Sequence, residues 1–155
     1  MTRLNVNGQD HEVEFADHDS LADVLDQQLH MYGTRVSCAE GECGCCTVLM
    51  DGVPATACLI VARQAEGRSI RTIEGLGTPD NLHPIQQAFI DEHGFQCAYC
   101  TSGFIMSAKH LLDHNPTPSR EEVAEALSGN ICRCGAYPFI IQSVLTAAER
   151  MGRES

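Results

Sequence analysis

All of the chain's nine cysteines except Cys45 fall into two sets of four, and the spacing within each set suits an inorganic cluster. The first set, Cys38, Cys43, Cys46 and Cys58, reads C-x4-C-x2-C-x11-C; the second, Cys97, Cys100, Cys132 and Cys134, reads C-x2-C-x31-C-x1-C. Four thiolates hold one [2Fe–2S] cluster, and three ligands spaced x4 and x2 with a distant fourth is one of the arrangements that does so. Two such sets in one chain of 155 residues point to a relay that moves single electrons. The odd cysteine count argues against complete disulfide pairing, and in a reducing compartment so many thiols read as metal ligands rather than bridges.

That length admits one domain or two small ones. The chain is 43% apolar and 20% charged, an ordinary globular balance, but only 5% aromatic with no Trp, so its core must be aliphatic. Two half-size units would each have a thin core, which would make bound metal part of the folding free energy. The formal charge is −11. Two oxidised clusters with their thiolates, each carrying −2, bring it to roughly −15. Such a surface repels nucleic acid and anionic membranes. It suits docking onto a basic face of a protein partner, or simply keeps the chain in solution. Met1 to Asn5 is polar and lacks the apolar stretch of a secretory signal. The longest apolar runs, such as Ala57 to Ala62, are far too short to span a bilayer. The expectation is a cytoplasmic chain with no membrane span and no nucleic-acid partner.

Alternation of Leu4 and Val6, then Val13 and Phe15, around Asn7-Gly8 predicts a β-hairpin over residues 3–7 and 12–15. Asp19-Ser20 offers an N-cap to a helix over Leu21–Leu29. Thr47 to Met50 reads as a strand, Asp51-Gly52 as a turn, residues 57–62 as a short buried segment of ambiguous type, and Ser69 to Ile73 as a last strand. Gly75 to Asp80 is the natural boundary. After it the pattern becomes helical: His83-Pro84 to about Glu92, Phe104 to Leu112, a third helix behind the capping box Ser119-Arg120-Glu121-Glu122, and Pro138 to about Glu149. The chain is therefore read as α+β, with an α+β unit over residues 1–76 and a four-helix bundle over 77–155. The two cysteine motifs are unlike each other, so the halves are not a duplication.

In the first motif, a loop must curl so that backbone N–H groups point at the cluster sulfurs and stabilise the negative core. Gly41 and Gly44 supply the backbone freedom this needs. A structural zinc site favours paired C-x2-C knuckles or Cys/His mixtures, and this spacing has neither. Cys45, between ligands, reads as a small buried residue facing away. In the second motif the C-x1-C pair requires extended or turn-like backbone, with the cluster clamped between helical hairpins and buried. Arg133 either offsets the thiolate charge or is solvated. His110 and His114 stand at i, i+4 without a third ligand and read as a solvated face.

Three segments together resemble the small iron–sulfur subunit of the molybdenum hydroxylases, the xanthine oxidase family: Cys38-Ala39-Glu40-Gly41-Glu42-Cys43-Gly44-Cys45-Cys46-Thr47-Val48, Gly94-Phe95-Gln96-Cys97-Ala98-Tyr99-Cys100-Thr101 and Gly129-Asn130-Ile131-Cys132-Arg133-Cys134. The resemblance runs from Leu4 to about Glu149. It implies an N-terminal β-grasp, plant-ferredoxin-like domain and a C-terminal four-helix domain, each with one [2Fe–2S] cluster. It also implies that Gln96 and Cys134 lie against a molybdopterin cofactor held by a separate large subunit. Electrons would leave that site through the helical-domain cluster, then the ferredoxin-like one, to FAD in a medium subunit or to another acceptor, in a dimer of heterotrimers. Some positions depart from the family pattern. Cys45 stands where Ala is usual, Ala98 and Ser102 replace a common Gly and Pro, and Gly135-Ala136 replace a common Thr-Gly; no ligand is lost.

The sequence carries no G-x-G-x-x-G and no phosphate-binding loop. It offers no candidate catalytic acid or base. The expected role is that of a non-catalytic electron-transfer subunit of an oxidoreductase. The competing reading is a free-standing two-cluster carrier or redox sensor, which would not need Gln96 or the C-x1-C pair.

Overall fold

The computed structural model describes residues 1–154. Its first part is a five-stranded mixed sheet in the order β2-β1-β5-β3-β4, with a helix packed across it. Strand β1 (Thr2–Val6) turns through Asn7-Gly8, both at positive φ, directly into β2 (Gln9–Val13). Such a two-residue turn starts pairing at once, Val6 opposite Gln9. The second strand therefore begins at residue 9, not at 12, where the apolar signal begins. Ser20 caps α1 (Leu21–Gln27) in a reciprocal box with Asp23. The helix ends before Leu29 because His30 is left-handed and the Leu29 and Met31 N–H groups fold back to the carbonyls of Val24 and Leu25.

Strand β3 (Thr47–Met50) pairs antiparallel with β4 (Val53–Thr56) and with β5 (Ser69–Arg71); β5 pairs parallel with β1. The sequence reading missed β4 because Pro54 cannot donate to a ladder. It is tolerated since β4 is the sheet edge. Residues 57–60 are turn, followed by a 3₁₀ turn at Ala62–Ala65. Leu4, Val6, Val24, Leu25, Val48 and Ile70 form the heart of this core.

The second part has four helices among the described residues: α2 (Pro84–Asp91), α3 (Thr101–His114), α4 (Arg120–Ala126) and α5 (Tyr137–Glu154). Phe89 and Phe104 are fully buried at its centre with Ile85, Ile140 and Val144. Each aromatic contributes about 2–3 kcal/mol by burial. Helix α3 begins at Thr101, directly behind Cys100, earlier than the apolar pattern alone places it. Helix α5 runs past Glu149, because Arg150 pairs with Asp91 of α2 at 2.7 Å and Met151 packs on the core.

The halves are not loosely tethered. Helix α3 lies against β3 and β4, and Ile73 and Leu76 of the connection pack on the helical core. The closest approach is at Gly103: a Cβ there would stand 2.1 Å from the Gly44 carbonyl oxygen.

Helix propensity alone favours Ala over Gly in both α3 and α5. Gly152→Ala, in open space, should gain up to about 1 kcal/mol. Gly103→Ala should lose about 1–3 kcal/mol through overpacking. Thermal unfolding of the two variants should shift in opposite directions. A Gly103→Ala protein as stable as the parent would show that the seam yields freely.

Candidate iron–sulfur sites

The first motif lies on an irregular loop between α1 and β3. Ala39, Gly41 and Gly44 are at φ 55, 77 and 67, so the chain reverses hand repeatedly within one short stretch. Gly44 has no room for a side chain: a Cβ would meet the Gly129 carbonyl at 2.4 Å. This curling turns the Glu40 N–H onto the Cys38 sulfur at 3.4 Å. The thiols of Cys38 and Cys43 are in contact, as are those of Cys46 and Cys58, the latter carried in from the turn after β4.

The second motif is assembled from two connections. Cys97 and Cys100 flank a turn in which Ala98 is left-handed at φ 60, where the resemblance expects Gly. Cys132 and Cys134 lie on the non-helical stretch between α4 and α5. The Cys97 and Cys134 sulfurs are 3.6 Å apart, and the thiols of Cys100 and Cys132 are in contact. Ala136 N–H reaches the Cys132 sulfur at 3.5 Å. The Cys132 N–H donates to Tyr137 Oη at 2.9 Å, and that ring stands edge-on to Phe104.

Both sets therefore present their thiols two by two. A [2Fe–2S] centre uses soft donors in that way, two on each iron. With backbone N–H groups aimed at sulfur and glycine-lined backbone close by, the residues fit such a cluster. Electrostatics divides each set. Glu40 and Cys43 N–H groups, with the Cys43 thiol, bring the Cys38 thiol down to about 7, whereas burial pushes Cys46 up to about 12. In the second set burial pushes Cys100 up to about 12. Cys97 is lowered by the Tyr99 N–H and then by the Cys134 thiol. Burial works to raise Cys132, but the Ala136 N–H, the Cys100 thiol and the Cys134 and Gly135 N–H groups outweigh it and the thiol is lowered. Metal binding has to deprotonate Cys46 in one set and Cys100 in the other.

The second site is not enclosed on all sides as the sequence suggested. Cys100 and Cys132 are buried, but Cys97 and Gln96 are exposed and Cys134 is half-buried, so one face is open. Arg133 faces solvent. Cys45 is 4% exposed and belongs to the helical core, touching the Cys43 thiol and lying near Cys100. Burial, then that thiol contact, push it up to about 12. His110 is not merely solvated: its ring bonds the Gly52 carbonyl at 2.9 Å, pinning α3 to the β3–β4 turn. Sequence reasoning assigned no role to the clamps around the loops. Arg35 donates to the Ala98 carbonyl at 2.6 Å and sits over the Tyr99 ring, and Tyr99 Oη donates to the Val36 carbonyl at 2.7 Å.

Comparison with known proteins agrees with this geometry. Residues 4–71 match the family model of the 2Fe-2S iron-sulfur cluster binding domain, and residues 72–145 that of the [2Fe-2S] binding domain. The small subunit of nicotine 6-hydroxylase from Paenarthrobacter nicotinovorans is 45% identical over 152 residues, covering 98% of this chain and 92% of that one. One of the subunits of nicotinate dehydrogenase from Pseudomonas putida is 49% identical over 146 residues, covering 94% and 93%. Among solved structures, the aldehyde oxidoreductase of Desulfovibrio desulfuricans superposes with a TM-score of 0.94 at 44% identity. The match covers 99% of this chain but 17% of that longer one. Fold and sites thus define a protein of two different [2Fe–2S] domains in series. The chain belongs to the family of small iron–sulfur subunits of molybdenum hydroxylases.

Two substitutions test the sorting of the thiols. Cys43→Ser should damage the first cluster and leave the second largely intact. Cys45→Ala should leave both. Electron paramagnetic resonance of the reduced proteins reads this directly. Loss of both signals in Cys43→Ser would show that the two halves fold as one unit, and loss of either in Cys45→Ala would contradict the ligand assignment.

Proposed function

We propose that the chain is the electron-transfer subunit of a heteromeric molybdenum hydroxylase, carrying single electrons from a molybdopterin site in a large subunit to FAD in a medium subunit or to another acceptor. Cys38, Cys43, Cys46 and Cys58 hold one cluster, and Cys97, Cys100, Cys132 and Cys134 the other. When bound, each cluster accepts and releases one electron. The division is residues 1–76 for the ferredoxin-like unit and 77–155 for the helical one. The pairing of the thiols two by two carries this reading.

The open face of the second site supports the direction of the relay. Gln96 and Cys97 are exposed and Cys134 is half-buried, and the stretch that carries Cys134 and the start of α5 also expose Ile131, Tyr137 and Phe139. Exposed apolar side chains beside an open ligand site are what a partner subunit covers. On this reading Gln96 and Cys134 contact the partner's molybdopterin. Gln96 can orient it by hydrogen bonding, and Cys134 joins it to the cluster. The Cys38–Cys58 site, whose neighbour Leu59 is also exposed, lies toward the acceptor. No helix among the described residues is long and apolar enough to cross a membrane. We place the complex in the cytoplasm, where thiols stay reduced, as a dimer of heterotrimers.

Purified from its native source, the chain should travel with a molybdopterin-bearing subunit, contain about four iron atoms, and give two distinguishable S = 1/2 resonances on reduction. A monomer without such a partner would instead support a free-standing carrier. A single resonance at full iron loading would contradict the two-site arrangement.

A further inference from the structure

The two ligand loops meet at a polar seam that the cluster motifs do not explain. The main-chain N–H of Ile131, next to Cys132, donates to the carbonyl of Cys43 at 2.9 Å. The path from the Cys43 sulfur through its own backbone, across that bond, and along Ile131 to the Cys132 sulfur is otherwise covalent. One hydrogen bond joins a thiol of one set to a thiol of the other.

Asn130 holds this junction in place. It is 5% exposed, and its side-chain Nδ2 donates to the Gly44 carbonyl at 3.0 Å. Its Oδ1 accepts from Ser107 Oγ of α3 at 2.7 Å; Ser107 is 7% exposed. Burying an amide is unfavourable unless its hydrogen bonds are made. Asn130 makes them to the residue after Cys43 on one side and to the helix behind Cys100 on the other. Its own backbone continues into Ile131, so the side chain and the Ile131 N–H grip adjacent carbonyls of the first loop.

We propose that Asn130 is a positioning residue for electron exchange between the two clusters, keeping the Cys43–Ile131 hydrogen bond closed so that the loops stay in electronic contact. This rests on the two-cluster reading above and deepens it. The step is a transfer of one electron: the reduced site is oxidised by one electron and the oxidised site reduced by one, and no bond is made or broken. The electron enters from the reduced molybdenum site of the partner subunit.

The test uses the purified holo-complex, unaltered and with Asn130→Ala or Ser107→Ala. The fully reduced protein is examined at low temperature for magnetic splitting between the two resonances, and the intramolecular exchange rate is followed after a sub-stoichiometric pulse of reductant. Asn130→Ala should keep both resonances, full iron and unchanged cluster potentials. Its splitting should diminish and its exchange should slow, by up to about tenfold where loss of one buried hydrogen bond leaves the junction open. Ser107→Ala leaves Nδ2 on Gly44 and should slow exchange less, by about twofold to threefold. If Asn130→Ala does not fold, Ser107→Ala decides alone. Unchanged splitting and exchange in the folded variants, with both resonances present, would overturn the inference. Absence of two resonances in the unaltered protein would instead overturn the two-cluster reading beneath it.

Discussion

The carbonyl oxygen of Gly44 receives the Thr47 N–H at 3.2 Å, the Thr47 hydroxyl at 2.7 Å and the Asn130 amide at 3.0 Å. It faces Gly103 of α3 at a distance that leaves no space for a methyl group. One peptide group is thus tied to its own loop, to the turn that carries Cys132, and to the helix that starts behind Cys100. Moving the loop or the turn breaks hydrogen bonds between groups that are largely buried, where each lost partner costs about 1–3 kcal/mol. The seam makes two thin cores behave as one body. It also explains why Cys45, whose backbone belongs to the first loop, has its side chain in the core of the helical half.

Around that fixed point the chain manages negative charge. A pair of thiolate clusters in an already acidic chain gives strong self-repulsion, and the fold answers mainly with oriented dipoles, helped at Cys97 by the Arg35 charge. Backbone N–H groups from Glu40 and Ala136 are aimed at sulfur. Arg35, beside the second site's turn, directs its donor to the Ala98 carbonyl. Each set couples a thiol that ionises readily to one that burial holds neutral. Cluster assembly then depends on iron to draw off the last protons. Ala98 shows the cost of this geometry: an L-residue held left-handed forfeits about 1–2 kcal/mol, and the Arg35 and Tyr99 clamps hold the turn in that shape.

Much of this was legible in the chain. The Asn7-Gly8 hairpin, the Ser20 and Ser119 caps, the helical character after Gly75 and the two cysteine sets each follow from local chemistry acting at short range. What escaped notice depends on distant partners. Pro54 hid β4 because only its place at the sheet edge makes it harmless. Nothing local announces that α3 starts at Thr101 or that α5 continues past Glu149 to reach Asp91. Cys45 could be read as buried, but not as buried in the other half. Asn130 stood inside a recognised motif without a role, because its two partners, Gly44 and Ser107, are remote in sequence and adjacent only after folding. The open face of the second site was missed for a related reason: helical packing suggested enclosure, yet the C-x1-C stretch is reached from outside.

The sorting of eight thiols into two adjacent di-iron sites is settled most directly by diffraction from the loaded protein at the iron absorption edge. The account predicts anomalous peaks in two close pairs. In one pair, Cys38 and Cys43 bind one iron and Cys46 and Cys58 the other. In the second, Cys97 and Cys134 share an iron and Cys100 and Cys132 its neighbour, while Cys45 binds none. A peak ligated by Cys45, an isolated single peak, or a pair with a different division of these cysteines would contradict it.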